Sequence, residues 1–309
     1  MRKALVSALC ELAEKDKRLV LLTGDLGFMV LEPFIQRYPD KFFNAGVAEQ
    51  NMVGMATGLA EAGFRPYAYS ITPFLALRAL EFIRNGPVLH RLPVRLVGVG
   101  AGFDYGHAGP THHGTEDVGA LGTLRGLSVV IPADHQQARA AVLSMHEHPG
   151  PVYFSLGKSD QDVIPGLNGR FELSKPQLVR EGTAALIVGM GAVTVEALAA
   201  ASELAKTGVS CAVAVVSSLA PSPVAELARL MSAYPVAVTV EAHVASGGLG
   251  AAACTAVATS GLRCRVVTHC VTQPEDGRVG SHAWYWQRHG LDRGAIARSV
   301  LSGIAQCRS

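Results

Sequence analysis

The chain has 309 residues, of which 49% are hydrophobic and 17% charged, as expected for a compact globular protein of about two domains. Its net charge of +2 gives no electrostatic case for nucleic-acid binding, and no apolar run reaches the length of a membrane span. The six cysteines show neither a CxxC pair nor zinc-site spacing, so we expect reduced thiols and, by default, a cytoplasmic location.

The first predicted elements lead to an aspartate at a strand end. Residues 1–18 carry a short apolar run broken by charges, which predicts an amphipathic helix rather than a signal peptide. Residues 18–23 are predicted to form a buried parallel strand. Asp25 follows at the edge of the sheet where open α/β folds bind ligands. The alternative is a loop aspartate that caps the next turn.

The segment FNAGVAEQNMVGMATGLA at residues 43–60 predicts a helix with a functional start. Asn44 is a candidate N-cap, because its side-chain oxygen can accept from the first turn. Apolar residues recur at helical spacing, and the many small residues predict that another backbone packs closely and buries the helix. Glu49 is unusual there, since buried carboxylates are normally paired or do chemistry. The alternative is a first-turn glutamate satisfied by the helix N-terminus.

The next segments introduce an aromatic residue and a histidine-rich loop. A strand at residues 65–70 precedes a helix predicted for residues 72–85, and Phe74 in that helix either packs in the core or faces a ligand. A strand at residues 92–100 then leads into a glycine-rich loop that carries His107, His112 and His113. Zinc binding, ordinary surface histidines and acid–base chemistry near neutral pH are three open alternatives.

The alternation of strands and helices predicts two doubly wound α/β domains. We predict residues 1–160 as the first domain, 161–181 as a linker and 182–309 as the second domain. In the first domain, Asp134 is the predicted N-cap of a helix. In the second, GGLG at residues 247–250 precedes a helix and either binds an anion or marks close packing. The stretch RVGSHAWYWQ at residues 278–287 is expected to serve packing or an interface.

Several motifs resemble those of transketolases and 1-deoxyxylulose-5-phosphate synthases. They are GVAEQNM at residues 46–52, SITPFLALR at 70–78, GPTH at 109–112 and VEAH…GGLG at 240–250. The resemblance covers essentially the whole chain, but only the two carboxy-terminal domains of a transketolase. It implies an α/β fold with a pyrimidine-binding domain followed by a transketolase C-terminal domain.

The resemblance also implies how thiamine diphosphate would be held. Glu49 would hydrogen-bond the aminopyrimidine ring and promote the tautomer that takes the proton from the thiazolium carbon. Phe74 would stack on the aminopyrimidine, and Arg78 of the same stretch would lie at the cofactor site, although the first aromatic residue of the family stretch is missing. Asp25 would lie near the thiazolium ring of a cofactor bound across a subunit interface.

The substrate contacts follow from the same resemblance. His112 would contact the substrate and assist proton transfer at its oxygen, and His113 replaces the Gln of the family motif. The family Asp that reads a sugar hydroxyl is Ala108 here, next to His107, which is a departure at the sugar-binding site. Lys158 is nearest to the phosphate-binding Arg of the family, and a lysine holds phosphate as a point charge without a bidentate fork.

The sequence has no Gly-Asp-Gly followed by an Asn-rich turn, the module with which the family binds the diphosphate through Mg²⁺. We therefore expect an α-type partner subunit to supply the diphosphate and Mg²⁺ site. This chain would be a homodimer within an α₂β₂ assembly. The implied reaction transfers a two-carbon ketol unit from a ketose, expected to be phosphorylated, to an aldehyde or to an acceptor on a carrier protein.

Three alternative hypotheses remain open at this point. The chain could be the β subunit of a 2-oxoacid dehydrogenase, with the same cofactor and another donor, but the EQNM and Thr-His details argue against it. It could be a non-catalytic scaffold, against which the retention of Glu49 and His112 argues. It could also be an unrelated flavodoxin-like binding module, which does not account for the paired motifs.

Overall fold

A computed structural model describes residues 1–272 and 276–308, which form two α/β units. Twelve strands lie in the described part of the chain: β1 (Leu19–Thr23), β2 (Phe42–Asn44), β3 (Arg65–Ile71), β4 (Arg95–Val99), β5 (Ser128–Val130), β6 (Val152–Leu156), β7 (Gln177–Arg180), β8 (Ala185–Met190), β9 (Cys211–Val215), β10 (Ser218–Ala220), β11 (Val236–Val244) and β12 (Arg265–Val271). Six of these strands, β1, β4, β5, β6, β8 and β9, are buried along their whole length, as expected for parallel strands covered by helices.

Eleven α-helices in the same residues cover these strands: α1 (Arg2–Lys15), α2 (Glu32–Arg37), α3 (Glu49–Glu61), α4 (Leu80–Ile83), α5 (Asp117–Gly122), α6 (His135–Ser144), α7 (Thr194–Lys206), α8 (Val224–Met231), α9 (Leu249–Ser260), α10 (His282–Arg288) and α11 (Arg293–Arg308). As predicted, the Asp134 side chain caps α6 by accepting from the Gln137 N–H. Helix α10, in contrast, was not predicted. None of the described helices is both long and apolar enough to cross a membrane.

The strands form two sheets, which confirms the predicted α/β class with two parallel-sheet domains. The first sheet has seven strands in the order β10-β5-β6-β4-β3-β1-β2, and the second has five in the order β12-β11-β8-β9-β7. All pairs are parallel except the edge pairs β10–β5 and β7–β9. In the first sheet, Tyr67 is in register with Leu21 on one side and with Arg95 on the other.

The two units are joined more closely than a simple linker implies. Strand β7 lies within the range predicted as linker and pairs with β9 of the second sheet. Strand β10 comes from the second half of the chain, but it pairs with β5 at the edge of the first sheet. The β10–β5 pair therefore fastens the second half of the chain to the first sheet by backbone hydrogen bonds.

The predicted helix at residues 72–85 is irregular. It consists of a π-helical turn at Phe74–Arg78, the short helix α4 and a second π-helical turn at Arg84–Val88. Pro87 lies in the second turn, where its missing N–H removes a hydrogen bond from the regular ladder. Wider turns of this kind are often found at functional sites.

Two predictions about residues 43–60 are wrong in this chain. Asn44 does not cap α3, which begins at Glu49 after Ala48, because the Asn44 side chain is engaged elsewhere. Its oxygen accepts from the Asp25 N–H at 3.1 Å and its nitrogen donates to the Asp25 carboxylate at 2.8 Å. The helix is also only half buried: Gly54 and Gly58 are exposed, with open space where a Cβ would lie.

Candidate active site

The candidate site lies at the carboxyl end of the first sheet, where β3 ends and α3 begins. Glu49, the first residue of α3, has only 1% of its surface exposed. Its Oε1 accepts from the Ser70 hydroxyl at 2.8 Å, and its Oε2 accepts from Nη1 of Arg78 at 2.6 Å. Gly24 at the end of β1 packs against the same carboxylate, since a Cβ there would lie 3.2 Å from Oε1. The predicted buried glutamate is therefore confirmed, and it is paired.

Arg78 links this carboxylate to an aromatic ring. While it donates to Glu49, its guanidinium carbon lies 4.7 Å from the centroid of the Phe74 ring, a cation–π contact. The π-helical turn between Phe74 and Arg78 holds both side chains at this edge of the sheet. The Arg78 side chain remains 41% exposed, so the ion pair has one buried and one solvent-accessible partner.

His112 continues this row of contacts. Its ring lies 5.0 Å from the Phe74 ring in an edge-to-face arrangement and 6.3 Å from the Tyr105 ring. The Thr111 hydroxyl is 3.0 Å from His112 Nδ1, so the threonine holds the ring through that nitrogen. One imidazole is thus placed beside the Phe74 ring at the mouth of the site.

Lys158 lies at the other end of the row. Its Nζ is 4.2 Å from the Tyr105 ring centroid and 3.4 Å from the Asp104 carbonyl oxygen, while its backbone N–H donates to Asp104 Oδ2 at 2.6 Å. Burial lowers the pKa of Lys158, and the positive charge of Arg2 lowers it further. The structure therefore brings six side chains into one continuous row: Glu49, Arg78, Phe74, His112, Tyr105 and Lys158.

Three other predicted site residues lie outside this row. Asp25 is exposed next to Gly24, at φ +60°, and is bound to Asn44. His107 is exposed on the turn of the loop. His113 is only 3% exposed, and its ring packs edge-on against Phe103 and Tyr285, away from the row.

This arrangement does not favour the zinc alternative. Among the described residues, the one group of three potential ligands with atoms within 4.8 Å of one another is Asp16, His146 and Glu147, outside the loop. Arg18 and Arg65 already pair with its carboxylates. The loop histidines are separated by the burial of His113.

Ser70, Tyr105, Phe103 and Tyr285 were not predicted as site residues from the sequence. Ser70 could have been found, because it ends a strand at the same edge as Glu49. Tyr105 and Phe103 had only the signal of aromatic residues within a glycine-rich loop. The stretch at residues 278–287 was expected to serve packing or an interface, and its Tyr285 does pack on that loop, but the sequence did not indicate which surface it would contact.

The chain matches two families of known proteins. Residues 1–162 match the family described as transketolase, pyrimidine binding domain, and residues 174–293 match the family described as transketolase, C-terminal domain.

Individual relatives match over almost their whole length. An apulose-4-phosphate transketolase subunit of Phocaeicola vulgatus is 30% identical over 98% of this chain and 97% of the relative. A 6-deoxy-6-sulfo-D-fructose transketolase subunit of Clostridium sp. strain MSTE9 is 35% identical over 97% and 93%. A solved structure described as a split gene transketolase, inactive β4 tetramer, superimposes with a TM-score of 0.88 and 31% identity, covering 98% of each chain.

Proposed function

This chain belongs to the transketolase family as a β-type subunit of a split transketolase, and from that premise we propose specific roles for its residues. The family depends on thiamine diphosphate, and Glu49 and Phe74 are the residues that would hold the aminopyrimidine end of this cofactor. The single observation that carries the proposal is the contact row in which a buried carboxylate, an aromatic ring and an imidazole follow one another.

The residues fit an aminopyrimidine, because Arg78 already makes the contacts that such a ring needs. The guanidinium is planar and bears N–H groups, and it both donates to Glu49 and lies over Phe74. A ring that uses the same two partners therefore competes with Arg78. The 41% exposure of the Arg78 side chain lets it turn toward solvent when the ring enters.

When bound, thiamine diphosphate supplies the electron sink that allows the carbon–carbon bond beside a ketose carbonyl to break. Glu49 would accept a hydrogen bond from the pyrimidine and exchange a proton with it, while Ser70 keeps the Glu49 carboxylate oriented. Phe74 would fix the plane of the ring by stacking. Asp25 places a negative charge at the same edge, on the side where we expect a cationic thiazolium ring.

On the substrate side, we propose that His112 moves a proton at the oxygen of the ketose. Its place beside Phe74 and its imidazole chemistry near neutral pH support this role. Lys158 would hold a phosphate at the far end of the row as a point charge. His107, exposed on the loop, would touch the outer part of the substrate, whereas the buried His113 would act by supporting the loop.

We further propose that an α-type subunit completes the site with the diphosphate and Mg²⁺ ligands, in an α₂β₂ assembly with a dimer of this chain at its centre. The exposed glycine face of α3 beside the site gives a partner backbone room to approach. A relative of this chain that is described as an inactive β4 tetramer supports both self-association and the need for a partner.

The test is co-expression of this chain with the diphosphate-binding subunit from the same genome. We expect turnover of ketose phosphates that depends on thiamine diphosphate, and weak or absent cofactor binding by this chain alone. Phe74→Ala should weaken the apparent cofactor affinity about tenfold or more, since base–aromatic stacking contributes roughly 1–3 kcal/mol. Phe64→Ala, at an exposed phenylalanine of the same domain, is the matched control.

Two results would contradict the proposal. Tight binding of thiamine diphosphate by the purified single chain would remove the need for a partner. Turnover of pyruvate without turnover of any ketose would move the chain to a 2-oxoacid enzyme. If ketoses are cleaved but no free aldehyde accepts the ketol unit, acceptors on carrier proteins are to be tested next.

A further inference from the structure

The segment around α10 of the second domain lies directly on the loop that carries His112. Tyr285 of α10 is only 2% exposed, and its ring stacks on Phe103 at 4.4 Å with an interplanar angle of 6°. The same tyrosine meets the His113 ring edge-on at 4.8 Å, and His289 stacks on Phe103 at 5.1 Å. An aromatic cluster of four rings, Phe103, His113, Tyr285 and His289, thus joins the two domains.

The loop is closed at its base and held from the inside. Gly102 and Gly114 pair as a short antiparallel bridge, with N–H to carbonyl distances of 2.7 and 2.9 Å. Phe103 and His113 stand next to these two glycines, so both inner anchors of the loop belong to the aromatic cluster. His112 is adjacent to His113 and faces Phe74 instead. The orientation of His112 therefore depends on how the neighbouring anchor is fixed.

The segment that bears Tyr285 is itself built firmly. The Tyr285 hydroxyl donates to the Arg278 carbonyl at 2.6 Å, and the Ser281 side chain caps α10 by accepting from the Trp284 N–H at 3.2 Å. The contact with the loop is tight, because a Cβ on Gly106 would lie 2.5 Å from the Gly280 carbonyl oxygen and 2.9 Å from the Tyr285 ring. At Gly106 the loop and the α10 segment are therefore in close contact.

We propose that Tyr285 is a positioning residue for the substrate loop. By filling the space against Phe103 and His113 it holds the loop closed, so that His112 stays beside Phe74. This gives the second domain a part in the reaction, although it contributes no residue to the contact row. The inference rests on the proposed function only for the role of His112; the holding of the loop stands on the contacts of the aromatic cluster.

The test compares two substitutions of Tyr285 in the complex of both subunits. Tyr285→Ala removes the ring, whereas Tyr285→Phe keeps the ring and loses the hydroxyl that donates to the Arg278 carbonyl. Gln287→Ala, at an exposed residue of the same helix, is the matched control. The readouts are kcat and KM for the ketose, KM for thiamine diphosphate, melting temperature, and hydrogen exchange of residues 102–114.

We expect Tyr285→Ala to lower kcat/KM for the ketose about tenfold or more, to leave KM for thiamine diphosphate within about twofold, and to speed exchange in residues 102–114. Tyr285→Phe should restore most of the loss, since it keeps the stack that fixes the loop. A general weakening of the fold would not lower kcat/KM for the ketose while leaving KM for thiamine diphosphate unchanged.

Different failures have different meanings. Normal ketose kinetics in a folded Tyr285→Ala complex, or unchanged exchange in residues 102–114, would overturn the role of Tyr285 and leave the proposed function intact. Equal losses for ketose and cofactor would also overturn it. Absence of ketose turnover in the wild-type complex would overturn the proposed function, and the positioning role with it, while the exchange result would still report whether Tyr285 holds the loop.

Discussion

The two domains differ in what binds the buried glutamate at the carboxyl end of each sheet. Each has a buried glutamate where a helix begins at the carboxyl end of a parallel sheet: Glu49 at α3 in the first domain and Glu241 at α9 in the second. Glu49 is bound by two side chains, one of them the partly exposed Arg78. Glu241 is bound by the backbone of its own domain.

In the second domain, backbone N–H groups of the same domain already occupy the glutamate. Glu241 accepts from the N–H groups of Leu249 and Gly250, each at 2.7 Å, and a Cβ on Gly248 would lie 2.2 Å from its Oε2. These are the N–H groups that an external anion would use. Of the two possibilities left open for residues 247–250, close packing is confirmed.

The two glutamates differ in whether a ligand could replace one of their hydrogen-bond partners. When the partners of a buried carboxylate are backbone N–H groups in one domain, the carboxyl group completes the fold and no ligand can take its place. When one partner is a partly exposed side chain, another donor can replace that partner. The nature of the partners, rather than the depth of burial, thus separates a structural glutamate from a functional one.

The largest expected effect comes from exchanging the two glutamates for their neutral counterparts. Glu49→Gln should lower ketose turnover by roughly 10²–10⁴-fold, the range for loss of a general acid–base group, with little change in melting temperature. Glu241→Gln should keep turnover per folded enzyme but reduce stability by about 1–3 kcal/mol, since one buried N–H loses its acceptor. Steady-state kinetics and thermal melts measure both. Loss of stability in Glu49→Gln together with loss of turnover in Glu241→Gln would contradict these roles.

A second substitution tests the role of His112 in the contact row of the first domain. His112→Ala should lower kcat for the ketose about 10²-fold while KM for thiamine diphosphate stays unchanged, because the imidazole acts on the substrate side of Phe74. His90→Ala, at an exposed histidine of the same domain, serves as the control and should behave as wild type. A His112→Ala enzyme with wild-type kcat would exclude the proton-transfer role.

Removing the charge of Lys158 tests the far end of the contact row. Lys158→Ala should raise KM for a phosphorylated ketose about tenfold, since a charge-assisted contact is lost, and leave KM for the unphosphorylated sugar unchanged. Lys206→Ala, at an exposed lysine of the second domain, is the control. Equal changes for both sugars would show that Lys158 does not read the phosphate.

The smallest expected effect is a pH dependence at Glu241. Burial raises the pKa of Glu241, so the folded state binds this proton more tightly than the unfolded state. The stability that this proton contributes is largest at acidic pH and falls as pH rises through the folded pKa. Glu241→Gln cannot titrate, so the difference in melting temperature from wild type should be larger at pH 5 than at pH 8. A difference that grows with pH would contradict this sign.

Much of the molecule could be predicted from sequence, because the relevant signals are local. Buried apolar runs and turn residues indicated the alternating strands and helices, and the helical spacing of apolar residues placed Glu49 on a helix. The motifs at residues 46–52, 70–78 and 109–112 pointed to the family, and the residues proposed from the resemblance as a whole include five of the six in the contact row.

The sequence by itself thus determined the two α/β domains, the family and the candidate glutamate, imidazole and aromatic ring. Only the tertiary structure decided what each of them touches. Arg78 on Glu49, the addition of β10 to the first sheet, and Tyr285 on the His112 loop all join residues that are distant in the chain or belong to different domains. Such contacts depend on how whole faces pack, and no local pattern of hydrophobicity or helix capping encodes that choice.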